Sequence, residues 1–294
     1  MQFGLNLTTV ICTKCGFVFT NPRPDQNLYQ RFYSEAYSEY YGYTAPSPQG
    51  IRKERVPEFI RFRLDQIERI RDLNGTRLLD VGPGQGIFLW WAQQRGCSVT
   101  GVEPSPEFYK TLIQEGFVSF HGSFEDLRAD DIGQFEFITM FHVLEHFYDP
   151  NNALDQCRAL LVDDGLLVIE VPNILKPYRS LDDYFLRYVH LTNFSPYTLN
   201  AILDKHSFDI LCVNEGGSDW RTPQSLFLIA RKRKSLNGGF DFPKQPVDEV
   251  FAILRRYRIR WYSLLLPAWV MHTSYQRGKN YFRPAARWVK NNFR

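Results

Sequence analysis

Five residues between positions 80 and 103 form the densest chemical pattern in the chain: Asp80, then Gly82, Gly84 and Gly86 alternating with Pro83 and Gln85, and finally Glu103. An acidic residue closing an apolar run, followed by glycine at every second position, makes a turn in which a ligand lies against bare backbone. Glu103 closes the next apolar run, and a carboxylate there can accept both hydrogen bonds of a ribose 2′,3′-diol. A dinucleotide fingerprint spaces its glycines as G-x-G-x-x-G around a pyrophosphate, so the shorter spacing here favours a ligand without one. A second group is His142, His146 and His190, whose ring type titrates near neutrality and can take a proton from an attacking hydroxyl. His142 and His190 lead as candidate bases, while His146 is the third and is better suited to bracing the turn it shares with Leu144 and Glu145. Cys12 and Cys15 supply half of a four-ligand zinc site, so neither bound zinc nor any other metal-ligand set is expected.

These residues need a frame, and the apolar runs supply it. Short runs at 78–81, 99–102, 117–120, 135–141 and 166–171 alternate with helical stretches at 87–94, 106–114 and 152–161, with Gly165 read as a helix stop. Such alternation argues a parallel sheet with crossover helices. Residues 54–73 repeat Phe59, Ile60, Leu64, Ile67 and Ile70 at helical spacing and predict a long amphipathic helix at the domain entrance. Ser195 reads as a helix N-cap with Pro196 at the first helical position, and 208–213 and 225–230 as a terminal antiparallel strand pair. Three segments follow: a CxxC and tyrosine-rich N-terminal lobe over 1–50, a central domain over 51–232, and a basic aromatic extension over 233–294.

With 294 residues, of which 44% are hydrophobic and 23% charged, the chain is large enough for a buried catalytic core and too apolar for a disordered polymer. It has no apolar run of membrane-spanning length and no signal-peptide pattern at Met1–Val10, and five scattered cysteines make no disulfide framework, so a cytoplasmic setting is expected. Charge is unevenly spread: residues 231–294 hold 15 Lys/Arg against 3 Asp/Glu, the rest 20 against 29. A basic arm interleaved with aromatic residues suits an anionic membrane surface. Nucleic acid is the less expected partner, because no recognisable binding motif accompanies the charge. The cluster Tyr33, Tyr37, Tyr40, Tyr41 and Tyr43 is read as either a cover over the substrate mouth or packing against the core with hydroxyls outward.

The run LLDVGPGQG at 78–86 resembles the first motif of class I S-adenosylmethionine-dependent methyltransferases. The resemblance continues in order through GSFEDL at 122–127, FEFITMFHVLEH at 135–146 and LLVDDGLLVIEVPN at 160–173. The ends CTKCG at 12–16, NPRP at 21–24 and HLTNFS at 190–195 are similar to a subgroup with an N-terminal zinc-type lobe whose members often modify sugars or nucleotide-linked sugars. The resemblance implies a Rossmann-like, doubly wound α/β fold with a seven-stranded sheet, and S-adenosylmethionine as cofactor. By the same carry-over Asp80, Gly82, Gly84 and Gly86 surround its methionine part, Glu103 holds the ribose, Ser123 and Phe124 border the adenine, and Phe141 joins this set at the end of the fourth strand. Ser123 stands where the family commonly has Asp, and Glu136 replaces another frequent Asp.

The expected reaction is methyl transfer to a hydroxyl of a sugar or glycan, a small-molecule or polymer acceptor in polysaccharide biosynthesis. Carbon methylation of a keto-sugar nucleotide is the variant in the same class. An NAD-dependent oxidoreductase, which the glycine spacing disfavours, and a catalytically silent membrane- or polymer-binding protein are the alternatives from other classes.

Overall fold

The computed structural model describes residues 8–36, 56–186, 189–216, 224–235 and 246–265. Its centre is a seven-stranded sheet built from β3 (Arg77–Val81), β4 (Ser98–Glu103), β5 (Val118–His121), β6 (Phe135–Phe141), β7 (Leu161–Pro172), β9 (Phe208–Asn214) and β10 (Ser225–Lys232), in the order β5-β4-β3-β6-β7-β10-β9. The first five strands are parallel, and β10 runs antiparallel to both β7 and β9. From β3 the chain winds outward through β4 and β5, then returns to β6 on the other side, so the sheet has its switch point beside β3.

Side-chain alternation splits each central strand between two cores. Leu79, Val81, Ile138, Met140, Leu167 and Ile169 face one cluster, covered by the helices Pro150–Leu160 and Pro196–Lys205. Leu78, Phe137, Leu166 and Val168 face the other, covered by Glu58–Glu68 and Ile87–Gln93. Helices on both faces complete the doubly wound α/β arrangement expected from the sequence.

The boundaries differ from the sequence expectation where local chemistry outweighs periodicity. The entrance helix is Glu58–Glu68 rather than 54–73, because Pro57 is extended at its N-cap and the chain turns after Arg69. The next difference is at Pro150–Leu160, which starts two residues early: Asp149 caps it by accepting from the Asn151 N–H at 2.9 Å, and Pro150 takes the first helical position. Gly165 does not stop that helix. The chain passes directly into β7, and pairing jumps from Phe135–Leu161 to Phe137–Leu166, leaving 162–165 as a bulge with Asp164 at φ +60°. Ser195 does cap its helix, in a reciprocal pair with Thr198.

A small second sheet joins the N-terminal segment to the main domain. β1 (Thr9–Ile11) and β2 (Val18–Thr20) form a hairpin closed at Cys12–Gly16, and β2 pairs with β8 (Thr192–Asn193). The helix Val247–Arg260 buries Val250 in an apolar cluster with Val18, Ile174, Leu181 and Phe185. No helix among the described residues is long and apolar enough to cross a membrane.

Candidate active site

The glycine turn leaves the carboxyl end of β3 and places three glycines in the left-handed region, Gly82 at φ +65°, Gly84 at +54° and Gly86 at +73°. Their duties differ. A Cβ on Gly86 would come within 2.8 Å of Leu112 and 2.9 Å of Phe117, and one on Gly82 within 2.9 Å of Val143, whereas one on Gly84 would meet nothing within 4 Å. Gly84 therefore opens onto the space beside the turn, and Gly86 lets the following helix sit against its neighbours.

That space is a cavity of about 670 Å³ lined by the carboxyl ends of β3 and β4 and the loops after β5 and β6. Glu103 is 4% exposed at its floor. Its Oε2 accepts the Gly84 N–H at 3.0 Å and its Oε1 the Ser105 N–H at 2.9 Å, so the carboxylate is aimed and keeps lone pairs for ligand hydroxyls. Burial pushes its pKa up to about 7, against the two N–H groups that favour the charged form. Ser123 caps the turn Phe124–Asp126, and its hydroxyl donates to Glu125 at 2.8 Å. Val102, Phe108, Phe124 and Phe147 give this half of the cavity apolar walls suited to a flat heterocycle.

Asp80 lies behind the turn rather than on the cavity surface. It is 2% exposed, accepts the Thr139 hydroxyl at 2.7 Å, and burial raises its pKa to about 7, opposed by Thr139 and the Arg63 charge. Gly86 and Phe141 also lie off the cavity; the Phe141 ring packs edge-on to Phe88 at 4.7 Å and beneath the Arg63 guanidinium at 4.0 Å. Gly82, Gly84, Glu103, Ser123 and Phe124 line it.

The histidines gather at the other end. His142 follows β6 with φ +59°, a conformation costing about 1–3 kcal/mol for a residue with a side chain, held by its N–H donating to the Glu170 carbonyl at 2.7 Å. Its ring stands 3.6 Å from Glu145 and 3.7 Å from Glu170. Burial opposes the charged ring, but the two carboxylates outweigh it and push the pKa up to about 9. The two carboxylates favour the charged form of His142, which donates, over the neutral form that a proton-accepting base requires. His146 lines the cavity, with Nδ1 2.9 Å from the Tyr33 hydroxyl and 2.7 Å from the Val189 carbonyl. His190 is 5% exposed and off the cavity, its ring 4.8 Å from that of His146.

The helix Gln26–Arg31 forms a wall over this end. Tyr29, 3% exposed, donates to the His146 carbonyl at 2.7 Å and the Val189 carbonyl at 2.9 Å, and Arg23 donates to the Tyr148 carbonyl. Tyr29 and Tyr33 both line the cavity, the Tyr29 hydroxyl being committed to backbone carbonyls; Tyr37, Tyr40, Tyr41 and Tyr43 lie outside the described residues. Among the described residues no third His, Cys, Asp or Glu joins Cys12 and Cys15.

Sequence reasoning passed over Arg63 and Glu170, joined at 2.8 Å with Glu170 fully buried. The available signal was a lone charge inside the apolar run Leu166–Val171.

Comparison with known proteins agrees with this geometry. The ubiquinone biosynthesis O-methyltransferase of Xanthomonas oryzae pv. oryzae is 34% identical over 117 residues, covering 38% of this chain and 49% of that protein. That of Bordetella avium is 31% identical over 119 residues, covering 38% and 49%. The chain spans about half the length of the curated relatives it matches. Among solved structures, the Burkholderia thailandensis 1,6-didemethyltoxoflavin-N1-methyltransferase, with bound 1,6-didemethyltoxoflavin and S-adenosylhomocysteine, aligns with a TM-score of 0.53 at 16% identity over 78% of this chain and 100% of that one. The Synechocystis magnesium protoporphyrin IX methyltransferase with bound S-adenosylmethionine aligns at 0.50 with 15% identity, over 72% and 100%. Both share the fold. The profile of the methyltransferase domain matches residues 50–213, more than half of the sequence and the whole stretch from the glycine turn through the histidine end, and the chain belongs to that family.

Proposed function

We propose that the protein is an S-adenosylmethionine-dependent methyltransferase acting on a hydroxyl oxygen of a sugar or glycan. The observation that carries the cofactor reading is the pairing of Gly84 and Glu103: a glycine whose missing Cβ leaves the cavity open, beside a buried carboxylate with acceptor capacity to spare. These fit an adenosyl ligand, with Glu103 at the ribose, Ser123 and Phe124 beside the adenine, and Gly82 and Gly84 beside the amino-acid part. When bound, the sulfonium supplies an already activated methyl group. The protein's task is to align an oxygen behind it and receive its proton, and alignment supplies much of the acceleration.

The acceptor end suits that task. Aromatic faces from Tyr33, Phe147 and Tyr148 give a sugar ring apolar surface, while His142 and His146 meet its hydroxyls. His142, held charged by Glu145 and Glu170, donates to and orients the acceptor. Transfer to oxygen agrees with the name of the curated relatives; the same name favours a second reading, an acceptor from ubiquinone biosynthesis.

The partner proposed for the basic extension is an anionic membrane surface, where the acceptor is lipid-linked. On Val247–Arg260, Phe251 is 59% and Ile259 60% exposed, among the exposed Arg255, Arg256, Arg258 and Arg260. Sedimentation with anionic vesicles is expected to pellet the full chain and leave a form ending at residue 240 in solution; equal pelleting would remove the proposal.

The test of the main reading is calorimetric titration with S-adenosylhomocysteine and with NAD, using Gly84→Arg as control. Saturable binding of the first alone, lost in the control, is expected. Labelled methyl transfer is then measured on nucleotide sugars, glycans and phenolic acceptors. Binding of NAD instead would overturn the cofactor reading, and turnover confined to phenols would overturn the sugar.

A further inference from the structure

Beneath the acceptor end lies a set of side chains that methyl transfer by alignment alone does not use. Glu145, His146 and His190 each offer one ligand atom, and these atoms lie within 4.8 Å of one another. Glu145 is 2% exposed, yet neither of its carboxylate oxygens accepts a hydrogen bond. The nearest charged or polar rings are His142 at 3.6 Å and His146 at 3.9 Å. The His142 ring offsets part of the cost of stripping this carboxylate of water, but from beyond hydrogen-bond reach, and a closer cation would offset more.

The second observation is the orientation of His146. Its Nδ1 stands 2.7 Å from the Val189 carbonyl oxygen, which can only accept, so Nδ1 carries the hydrogen. In the neutral ring the lone pair is then on Nε2, the nitrogen turned toward Glu145. A backbone carbonyl on the far nitrogen is also the usual support of a metal-binding histidine.

We propose that Glu145, His146 and His190 bind one divalent transition cation of the zinc class. Two imidazoles and a carboxylate are a set such ions accept while keeping a position open. His146 also lines the cavity, so that open position faces the acceptor. Bonds of about 2.0–2.2 Å hold neighbouring ligand atoms roughly 3.2–3.6 Å apart, so the set closes by about an ångström on binding, within reach of side-chain rotation. An acceptor hydroxyl on the ion has its acidity raised. It gives its proton to water, its oxygen forms the bond to the methyl carbon, and the carbon–sulfur bond breaks with the electron pair passing to sulfur. This role rests on the cavity being the methyl-acceptor site. The binding itself does not.

The adjacent Glu–His pair and the distant His190 share no metal-binding spacing in the sequence, and they meet because the segment after His190 packs on the Leu144–His146 turn, where the Thr192 hydroxyl donates to the Glu145 carbonyl at 3.4 Å.

The full chain, stripped with chelator, is titrated with Zn²⁺ in competition with a chromophoric chelator, and with Co²⁺ read by visible absorption. One site is expected, with weak cobalt ligand-field bands and no intense near-ultraviolet thiolate charge-transfer band. Affinity falls at least about tenfold in Glu145→Gln and in His190→Ala and is unchanged in the Cys12→Ser/Cys15→Ser pair. Absence of saturable binding, a thiolate band in the wild-type chain, or loss of binding only in the cysteine pair would overturn the proposal; the wild-type spectrum decides even where a variant fails to fold. S-adenosylhomocysteine binding on the same samples is a separate reading: its failure with zinc still bound removes the catalytic role and the cofactor assignment, and leaves the ion site standing.

Discussion

Replacing Gly84 and Gly86 in turn by alanine separates the ligand-facing glycine from the packing one. At Gly86 the change costs about 1–2 kcal/mol for a left-handed residue with a Cβ. The new methyl also lies 2.8 Å from Leu112 and 2.9 Å from Phe117, side chains 0% and 4% exposed that have little room to yield. Such overpacking adds about 1–3 kcal/mol, for a total of about 2–5. At roughly 2–4 °C per kcal/mol, the melting temperature falls by about 4–20 °C. At Gly84 only the conformational cost applies, because nothing lies within 4 Å, and the fall is a few degrees. The Gly84 methyl instead projects where the ligand lies, and displacing it by part of a van der Waals contact costs about 1–3 kcal/mol, or roughly 5–150-fold in affinity. Differential scanning fluorimetry and calorimetric titration with S-adenosylhomocysteine read the two effects separately. A Gly84→Ala protein that binds within threefold of wild type, or a Gly86→Ala protein as stable as wild type, would refute this division of labour.

Glu103→Gln keeps the size of the side chain but has one oxygen for two backbone donors, so either the Gly84 or the Ser105 N–H loses its partner and the ribose loses a charged acceptor. About 1.5–3 kcal/mol, or 10–100-fold weaker cofactor binding, is expected, and titration showing less than threefold would mean the carboxylate does not hold the ligand. Arg63→Met removes the guanidinium that meets the fully buried Glu170 at 2.8 Å and should cost about 3–5 kcal/mol in denaturant unfolding. Adding Glu170→Met should restore most of that loss; a single variant as stable as wild type would mean the pair is energetically idle.

The parts of the fold legible in the sequence are those where burial is continuous. Strands covered on both faces read as apolar runs, so β3, β4 and β6 stood out before any helix did. Helix ends were less legible, because Asp149 and Pro57 act through single caps that periodicity averages away. The three-residue strands β1 and β2 left no pattern, and the partner of β2 is remote in sequence. The same split governs the site. Gly84 and Glu103 belong to a local grammar of turn and strand end, whereas Arg63 with Glu170, and Glu145 with His190, meet only through the fold. Even within the turn, sequence could not tell that Gly86 packs while Gly84 faces the cavity, because both have the same backbone requirement.

The charge at the cavity floor and behind the glycine turn makes its own prediction. Asp80 and Glu103 are both nearly fully buried, and burial raises each to about 7. In the unfolded chain these groups titrate in the ordinary carboxylate range, near 4. Their folded values are higher, so the stability they confer is fully present below about pH 4 and is lost as the pH climbs through about 7. A cationic ligand reverses the preference, since a sulfonium and an ammonium entering this space favour both ionised carboxylates. Cofactor binding at pH 7 should therefore release protons, and affinity should rise about tenfold from pH 6 to pH 8 for each carboxyl of pKa about 7 that the ligand needs ionised, since each goes from roughly one-tenth to nine-tenths ionised. The empty fold loses stability over part of the same range. Titration with S-adenosylmethionine at pH 7 in two buffers of different ionisation enthalpy reads the proton count directly. S-adenosylhomocysteine, which lacks the sulfonium charge, should release fewer protons and show the shallower pH dependence. Equal proton release by the two ligands, or affinity flat from pH 6 to pH 8, would show that these carboxylates do not answer to the charge of what the cavity holds.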